Sequence, residues 1–361
     1  MMSRALISTF FLLQLTFLRS FAAVIPTNGV KVQPPSLNWI TGFQVDYVGG
    51  QNSVDEITVF KLLIDALVHF SWQGNEGVEK AQEFKINDED DTYLYMRGIN
   101  DDETDTSLER RFLIEALFQI TGYFTRGAPV TDATTALEFN GDYKGFILII
   151  GPDTPRPPPD TFSRLRPANA LPIPYQHVRS VSGVDDSAPQ PDFANIEAAV
   201  LPTSEQGIGT TSSPQSGHNT SSSDSLGGNR DIWIQWHRDN VRKEDLFYSL
   251  AGGLATIAKF PVVSRAVYMP LRCDDSPLVL RIVPSTEVPD PRMTFTFGNA
   301  NDAMATIMEQ STGQSRYREL YAMVDFKGFG PHSKKNVGIV EILKVSDGVQ
   351  ASEGTIEVLK D

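Results

Sequence analysis

The chain has 361 residues, and 31 lysines and arginines against 45 aspartates and glutamates leave a formal net charge of −14. This balance argues against a generic nucleic-acid or anionic-membrane surface, because binding phosphates requires clustered basic side chains. The length is sufficient for two ordinary domains, and a single cysteine excludes an internal disulfide, so the core must be stabilised by apolar burial.

The first 22 residues have the layout of a secretory signal peptide. Arg4 precedes a short apolar run from Leu6 to Leu18, and Ser20 and Ala22 stand at the positions that define a cleavage site. The 13 residues of that run rise only about 20 Å as a helix, too short for a hydrocarbon core of ~30 Å. The sequence therefore predicts a secreted, extracellular protein with no membrane contact once residues 1–22 are removed.

Residues 23–150 are predicted to form a first α+β unit. Aromatic and β-branched residues at 39–48 predict a strand, and a capping box at Ser53–Glu56 predicts the start of an apolar helix that extends to residue 70. The remaining predicted elements are strands at 81–86 and 92–99, a helix at 111–124 behind a second capping box at Thr106–Glu109, and a hairpin at 136–150.

Residues 230–361 are predicted to form a second unit with the same order of elements. The predicted elements are a strand at 231–237, a helix at 244–260, strands at 266–272, 278–283 and 293–297, a helix from Asn301 to Met308, and strands at 320–326 and 337–343. Each unit reads β-α-β-β-α-β-β, which contains the order of a ferredoxin-like plait with an extra strand.

The two units also share residues in one register. Phe60 and Phe247 are separated by 247 − 60 = 187 positions. The same separation joins Leu63 with Leu250, Leu67 with Leu254, Ala116 with Ala303, Ile120 with Ile307, Phe139 with Phe326 and Gly141 with Gly328. These matches predict an internal duplication.

The segment between the units, residues 151–229, is predicted to be a disordered linker. It is rich in proline at its start and in serine and glycine at its end, so it offers little apolar surface to offset chain entropy. Asn219 begins the sequon Asn219-Thr220-Ser221, which makes Asn219 a predicted glycosylation site.

An acidic stretch invites a metal-binding interpretation. Asp88, Asp90 and Asp91 supply the hard oxygen ligands that calcium prefers. The spacing of an EF-hand loop is not met, because the sixth position from Asp88 is Tyr93 rather than glycine. A solvated acidic turn is the simpler interpretation, and weak calcium binding is the alternative.

Two equivalent carboxylates, Glu138 and Asp325, raise the possibility of a catalytic dyad shared by the two units. The Asp-Thr-Gly motif of aspartic proteases is absent, and strand alternation places Glu138 opposite to its apolar neighbours. Together with His332, these residues are the candidates for one alternative, a secreted hydrolase whose acidic site lies in the cleft between the units. No metal-ligand spacing and no nucleotide-binding glycine motif is present, so neither metal nor cofactor is expected.

The strand at 231–237 has two distinct faces. Trp233, Gln235 and His237 alternate with Ile232, Ile234 and Trp236. The face with the histidine either packs against a helix or binds a ligand such as a carbohydrate. The lone thiol of Cys273 is expected to be an inert packing residue, although a lone cysteine can also be a nucleophile or an intermolecular link. The leading hypothesis is a non-enzymatic binding or interaction protein that recognises an extracellular protein or carbohydrate.

Overall fold

The computed structural model describes residues 40–86, 92–99, 106–152, 154, 171–172, 178–180, 230–285, 294–327 and 334–345. The helices are α1 (Glu56–Gln73), α2 (Arg110–Thr125), α3 (Lys243–Ile257) and α4 (Phe297–Gly313). Each half of the described chain supplies two of these helices and five strands of one antiparallel sheet. The α+β class predicted from the sequence is therefore confirmed.

The first sheet is built mainly by the first half. Its strands are β1 (Phe43–Ser53), β3 (Gln82–Lys85), β4 (Tyr93–Gly98), β6 (Thr131–Phe139), β7 (Asp142–Ile150) and β8 (Leu171–Pro172). They lie in the order β3-β4-β7-β6-β1-β8, and neighbouring strands are antiparallel. A separate small sheet pairs β2 (Val78–Glu79) with β5 (Leu108–Glu109).

The second sheet is built mainly by the second half. Its strands are β9 (Val178–Ser180), β10 (Arg230–Asn240), β11 (Met269–Cys273), β12 (Leu278–Pro284), β13 (Arg318–Lys327) and β14 (Lys334–Lys344). They lie in the order β10-β13-β14-β12-β11-β9, again with antiparallel neighbours.

The two sheets have the same strand order when each half is counted by its own five main strands. In both, the order across the sheet is first, fourth, fifth, third, second. The predicted ferredoxin-like plait is not the order found, because a plait places the first and third strands side by side. Here the hairpin of the fourth and fifth strands lies between them.

The pairing register is also the same in both sheets. Tyr47 of β1 pairs with Thr135 of β6, and Ile234 of β10 pairs with Ala322 of β13, at 234 − 47 = 187 and 322 − 135 = 187. The irregularities recur at the same separation, namely Gly49/Ser53 with Trp236/Asn240 and Leu137/Glu138 with Val324/Asp325. The 187-residue offset read from the sequence is therefore an offset between equivalent places in the two sheets.

The four helices lie between the two sheets. Helices α1 and α2 contact strands of the first sheet, and α3 and α4 contact strands of the second. Across the middle, α1 contacts both α3 and α4, and α2 contacts α3. One continuous apolar core includes residues from both sheets and all four helices, so the halves fold against each other rather than apart.

The starts of α1 and α2 differ from the two predicted capping boxes. Asp55, not Ser53, is the N-cap of α1, and its carboxylate accepts a hydrogen bond from Thr58 N at 2.8 Å. Ser53 is instead the last residue of β1, where it pairs with Thr131. Helix α2 has Glu109 as its N-cap without a side-chain hydrogen bond, because the chain just before it forms β5.

Helix α4 starts earlier than predicted. Thr296 is its N-cap and exchanges hydrogen bonds with Asn299, which completes a capping box that the sequence reading did not identify. The prediction of a strand at 293–297 and of a helix starting at Asn301 was therefore wrong. A glycine pair inside α3 has the predicted packing role, since a Cβ on Gly253 would lie 2.7 Å from Met304 Sδ.

The middle segment contributes to both sheets. Within the predicted linker 151–229, β8 pairs with β1 at the edge of the first sheet, and β9 pairs with β11 at the edge of the second. These five residues are thus part of the folded unit. Most of the remainder of the predicted linker, including Asn219, lies outside the described residues.

Candidate functional site

The second sheet has one face that does not meet the helices. Ile232, Ile234 and Trp236 of β10 pack against the central apolar core. Trp233, Gln235 and His237 alternate with them and therefore point to the opposite side of the sheet. We call this side the outer face of the second sheet. The predicted packing of the histidine-bearing face against a helix was therefore wrong.

A row of polar side chains crosses this outer face perpendicular to the strands. Tyr321 of β13 pairs with both Gln235 of β10 and Glu341 of β14, and Glu341 pairs with Arg281 of β12. The ring of His237 meets the ring of Tyr321 edge-on, with centroids 4.3 Å apart and an interplanar angle of 84°. We call Gln235, His237, Tyr321, Glu341 and Arg281 the polar row. Neighbouring strands bring these five side chains together because cross-strand partners lie close on one face.

The centre of the polar row is a nearly buried ion pair. Arg281 Nε lies 3.0 Å from Glu341 Oε2, and the two side chains are 19% and 4% exposed. Burial raises the pKa of the Glu341 carboxyl, and Arg281 partly offsets this effect. Burial also raises the pKa of Tyr321, and the nearby charge of Glu341 acts in the same direction. These are the properties expected of a site rather than of a solvated sheet face.

Hydrogen bonding in the polar row is incomplete. Nε2 of His237 is buried and has no hydrogen-bond partner among the residues that the structure describes. Buried polar atoms are normally paired, so an unpaired one needs an explanation. Gln235, at the same end of the row, is exposed. The row therefore runs from a buried ion pair to an accessible edge.

The first sheet has no such row at the equivalent positions. The partners that correspond to Gln235, Tyr321, Glu341 and Arg281 are Val48, Thr134, Leu148 and Tyr95. The outer face of the first sheet instead contains an apolar cluster of Tyr93, Phe146, Leu148 and Ile150. Identical backbone scaffolds thus present different chemistry, which makes the polar row specific to the second half.

A cleft of about 370 Å³ lies near the first turns of α1 and α3. Its walls include Val54, Phe124, Pro129 and Val130 together with the charged residues Glu56, Arg242 and Glu244. The position equivalent to Val130 is Tyr317, because Val54 N donates to Val130 O and Val241 N donates to Tyr317 O. Tyr317 packs its ring against Phe247, whereas Val130 has no ring to fill space. The cleft lies beside this smaller side chain.

The carboxylates of the cleft are paired with cations. Lys243 Nζ lies 2.5 Å from Glu56 Oε2, and this hydrogen bond raises the pKa of Lys243. Arg242 Nε lies 3.4 Å from Glu244 Oε2. Charge in the cleft is therefore largely compensated, which suits a binding surface better than a site that needs a free carboxylate.

The structure does not bring Glu138 and Asp325 together. Glu138 is on β6 in the first sheet, paired with Gln44 of β1, and Asp325 is on β13 in the second sheet. Both belong to the faces that point away from the helices, and the four helices separate the two sheets. Asn336 Nδ2 donates to Asp325 Oδ1 at 3.3 Å. The third candidate of the hydrolase alternative, His332, lies outside the described residues.

The metal and thiol candidates have different outcomes. Asp88, Asp90 and Asp91 lie outside the described residues, and within the described ranges no group of three or more His, Cys, Asp or Glu side chains could hold a metal ion. Cys273 is 3% exposed, its thiol donates to the carbonyl of Tyr248, and burial raises its pKa. The expectation of a buried packing cysteine is therefore confirmed.

Sequence reasoning found one end of the polar row and missed the other. Alternation along β10 identifies Gln235 and His237 as residues of one face. Tyr321, Glu341 and Arg281 come from three other strands, and only the strand order β10-β13-β14-β12 places them beside each other. A charged residue within each of two apolar strands, Arg281 and Glu341, was the available signal, because such residues rarely lie buried unless paired.

Among the described residues, no helix is both long enough and apolar enough to cross a membrane. Comparison of the chain with known proteins finds no matching family model, no matching curated protein and no matching solved structure.

Proposed function

We propose that this is a secreted binding protein, without catalytic activity, whose ligand is a carbohydrate that docks on the outer face of the second sheet. The observation that carries the proposal is the polar row next to Trp233, on a face that the helices leave uncovered. The same sheet positions in the other half contain Val48, Thr134 and Leu148 instead, so the fold itself does not require the row.

The chemistry of the polar row matches the chemistry of a sugar. Sugar hydroxyls donate and accept hydrogen bonds, and the row offers the guanidinium of Arg281 as donor, the carboxylate of Glu341 as acceptor and the amide of Gln235 as both. Aromatic rings such as Trp233 and Tyr321 provide an apolar surface for the C–H face of a pyranose ring while retaining a polar tip. Rigid strands hold these groups in place, which lowers the entropy lost on binding.

Binding is favoured over the hydrolase alternative by the state of the carboxylates. Glycoside hydrolysis generally requires two carboxylates at a defined separation, one of them acting as acid and the other as base or nucleophile. The polar row contains one carboxylate, Glu341, and its charge is neutralised by Arg281 at 3.0 Å. In the cleft, Glu56 and Glu244 each lie beside a cation. Neither place offers the pair of free carboxylates that the hydrolase requires.

Duplication and secretion are parts of the same proposal. The identical strand order and the constant offset of 187 residues in pairing support an origin of the two halves from one ancestral unit. The apolar run after Arg4 supports secretion, and secretion would expose both Asn219 and the outer face to extracellular ligands. Sequencing the amino terminus of chain secreted from a eukaryotic host tests this part, and residue 23 is the expected first residue.

The ligand is tested by depletion of the purified chain from solution with insoluble cellulose, chitin, xylan and β-glucan. The wild-type chain should bind at least one of them. Tyr321→Phe and Gln235→Ala should each weaken that binding roughly fivefold, the effect of losing one hydrogen bond. Tyr95→Phe is the matched control, since Tyr95 occupies the position of Arg281 on the other sheet.

Two results would contradict the proposal. If the wild-type chain stays in solution with all four polysaccharides, the carbohydrate assignment is wrong. If Tyr95→Phe weakens binding as much as Tyr321→Phe does, the binding surface is not the polar row. Release of reducing sugar by the wild-type chain, abolished in Glu341→Gln, would favour the hydrolase alternative instead.

A further inference from the structure

Residues at equivalent positions of the two halves contact each other at one place. Phe60 of α1 and Phe247 of α3 are equivalent through the offset of 187, and their rings stack with centroids 4.9 Å apart and an interplanar angle of 20°. Two equivalent groups can touch only near the axis that relates the halves. The stacked pair therefore marks an approximate twofold axis between α1 and α3.

A second equivalent pair lies one helical turn earlier. Glu56 and Lys243 are separated by 243 − 56 = 187 residues, and their carboxylate and ammonium groups are 2.5 Å apart. Their side chains are 32% and 31% exposed, so solvent screens the pair only in part. At the axis, the aromatic pair has the same residue on both sides and the charged pair has opposite charges.

The rest of the helical interface follows the same symmetry. The contact of α1 with α4 is the counterpart of the contact of α3 with α2. Hydrogen bonds cross the interface, from Ser71 Oγ to Leu254 O at 3.0 Å and from Asn301 Nδ2 to Val68 O at 3.1 Å. Since the helices of both halves present equivalent surfaces, a first half can also present its surface to the first half of another chain.

We propose that the ion pair between Glu56 and Lys243 selects the pairing of unlike halves and rejects the pairing of like halves from two chains. If two first halves met, Glu56 would face a second Glu56 at the axis, and two second halves would place Lys243 against Lys243. Phe60 and Phe247 are both phenylalanine, so the aromatic stack fits like and unlike pairs equally. The charged pair is the element at the axis that distinguishes them.

The length of the connection makes such selection necessary. Strand β7 ends at Ile150 and β10 begins at Arg230, so 79 residues, 151–229, join the two halves. The entropy of closing a loop rises only slowly with its length, and a long connection leaves exchange of halves between chains possible. The choice of partner must then depend on the interface itself.

The test is the oligomeric state of the full chain after refolding from denaturant at high protein concentration and low salt, measured by light scattering. The wild-type chain should be monomeric. Glu56→Lys and Lys243→Glu each place like charges at the axis in every pairing, so the ratio of dimer to monomer should rise roughly tenfold. The double variant Glu56→Lys/Lys243→Glu restores opposite charges and should return to monomer.

The matched control is Arg126→Glu. Arg126 also forms an ion pair between the halves, with Asp275 at 3.1 Å, but the two residues are not equivalent and do not lie at the axis. This variant weakens the interface without changing the selection, so it should remain monomeric. If the charge-reversed chains do not fold, Glu56→Gln/Lys243→Gln removes the selection without repulsion and should also form dimers.

Three results would overturn the proposal. The single variants, or the Gln pair in their place, may not raise the proportion of dimer; Arg126→Glu may raise it equally; or the double charge reversal may fail to restore monomer. Any one of them shows that the axis pair does not decide which halves meet.

Discussion

Replacing Arg281 with methionine should destabilise the protein strongly at neutral pH and much less at acidic pH. Arg281 is the cation that lies 3.0 Å from Glu341, whose side chain is only 4% exposed. Removing one partner of a buried pair leaves an uncompensated charge, which costs about 3–5 kcal/mol, and the 19% exposure of Arg281 places the expectation near ~3 kcal/mol.

The pH dependence follows from the raised pKa of Glu341. A carboxyl whose pKa is raised on folding binds its proton more tightly in the native state than in the unfolded state. Stability therefore increases as the pH falls through the raised pKa, and it is lost as the pH rises. Without Arg281 the pKa of Glu341 rises further, because that arginine is the group that lowers it now. The variant should thus regain most of its lost stability on acidification.

The assay is urea denaturation of wild type and Arg281→Met at about pH 8 and about pH 5, followed by tryptophan fluorescence. The double variant Arg281→Met/Glu341→Leu is the control for packing, since replacing a whole buried pair with apolar residues is often neutral or stabilising. A difference between Arg281→Met and wild type below about 0.5 kcal/mol at pH 8 would refute the desolvated pair. An equal loss at both pH values would show that packing, not charge, is responsible.

Three other perturbations are expected to have specific results. Gly338→Ala would place a Cβ against the ring of Phe295 and should cost about 1–3 kcal/mol in urea denaturation, whereas Gly313→Ala, with no atom within 4 Å of its Cβ, should be near neutral. If both behave alike, the close approach at Gly338 is wrong. Burial raises the pKa of Asp65 to about 6, so its ionisation opposes folding above that pH. Asp65→Asn should therefore be more stable than wild type at about pH 8, with no advantage at about pH 5; an advantage that persists at pH 5 contradicts this. The thiol of Cys273 should react with a disulfide reagent only at the rate of unfolding, and rapid native-state labelling would show that it is accessible.

The sequence predicts elements better than their ends. The apolar periodicity at 59–70 and at 111–124 correctly places α1 and α2, because a core-facing stripe depends only on local spacing. The boundaries fail where pairing in the sheet competes with a cap. Ser53 has the chemistry of an N-cap but ends β1 opposite Thr131, and Asp55 caps the helix instead.

The repeated register is the prediction with the widest consequences. An offset seen in a few identities, such as Phe60 with Phe247, corresponds to equivalent strand pairing in two sheets. It did not reveal that these two phenylalanines touch each other, because contact between equivalent positions depends on where the axis passes. It also did not reveal that the halves share one apolar core.

By itself, the sequence determined which segments form helices and strands, which side chains of β10 share a face, and that the second half repeats the first. Each of these depends on spacing along the chain, and spacing is fully present in a sequence. The tertiary structure alone decided that Tyr321, Glu341 and Arg281 form one row with Gln235, and that Glu138 and Asp325 lie in different sheets. Strand order and the packing of helices between the sheets decide these neighbours, because cross-strand and interhelical contacts join residues that are distant in sequence.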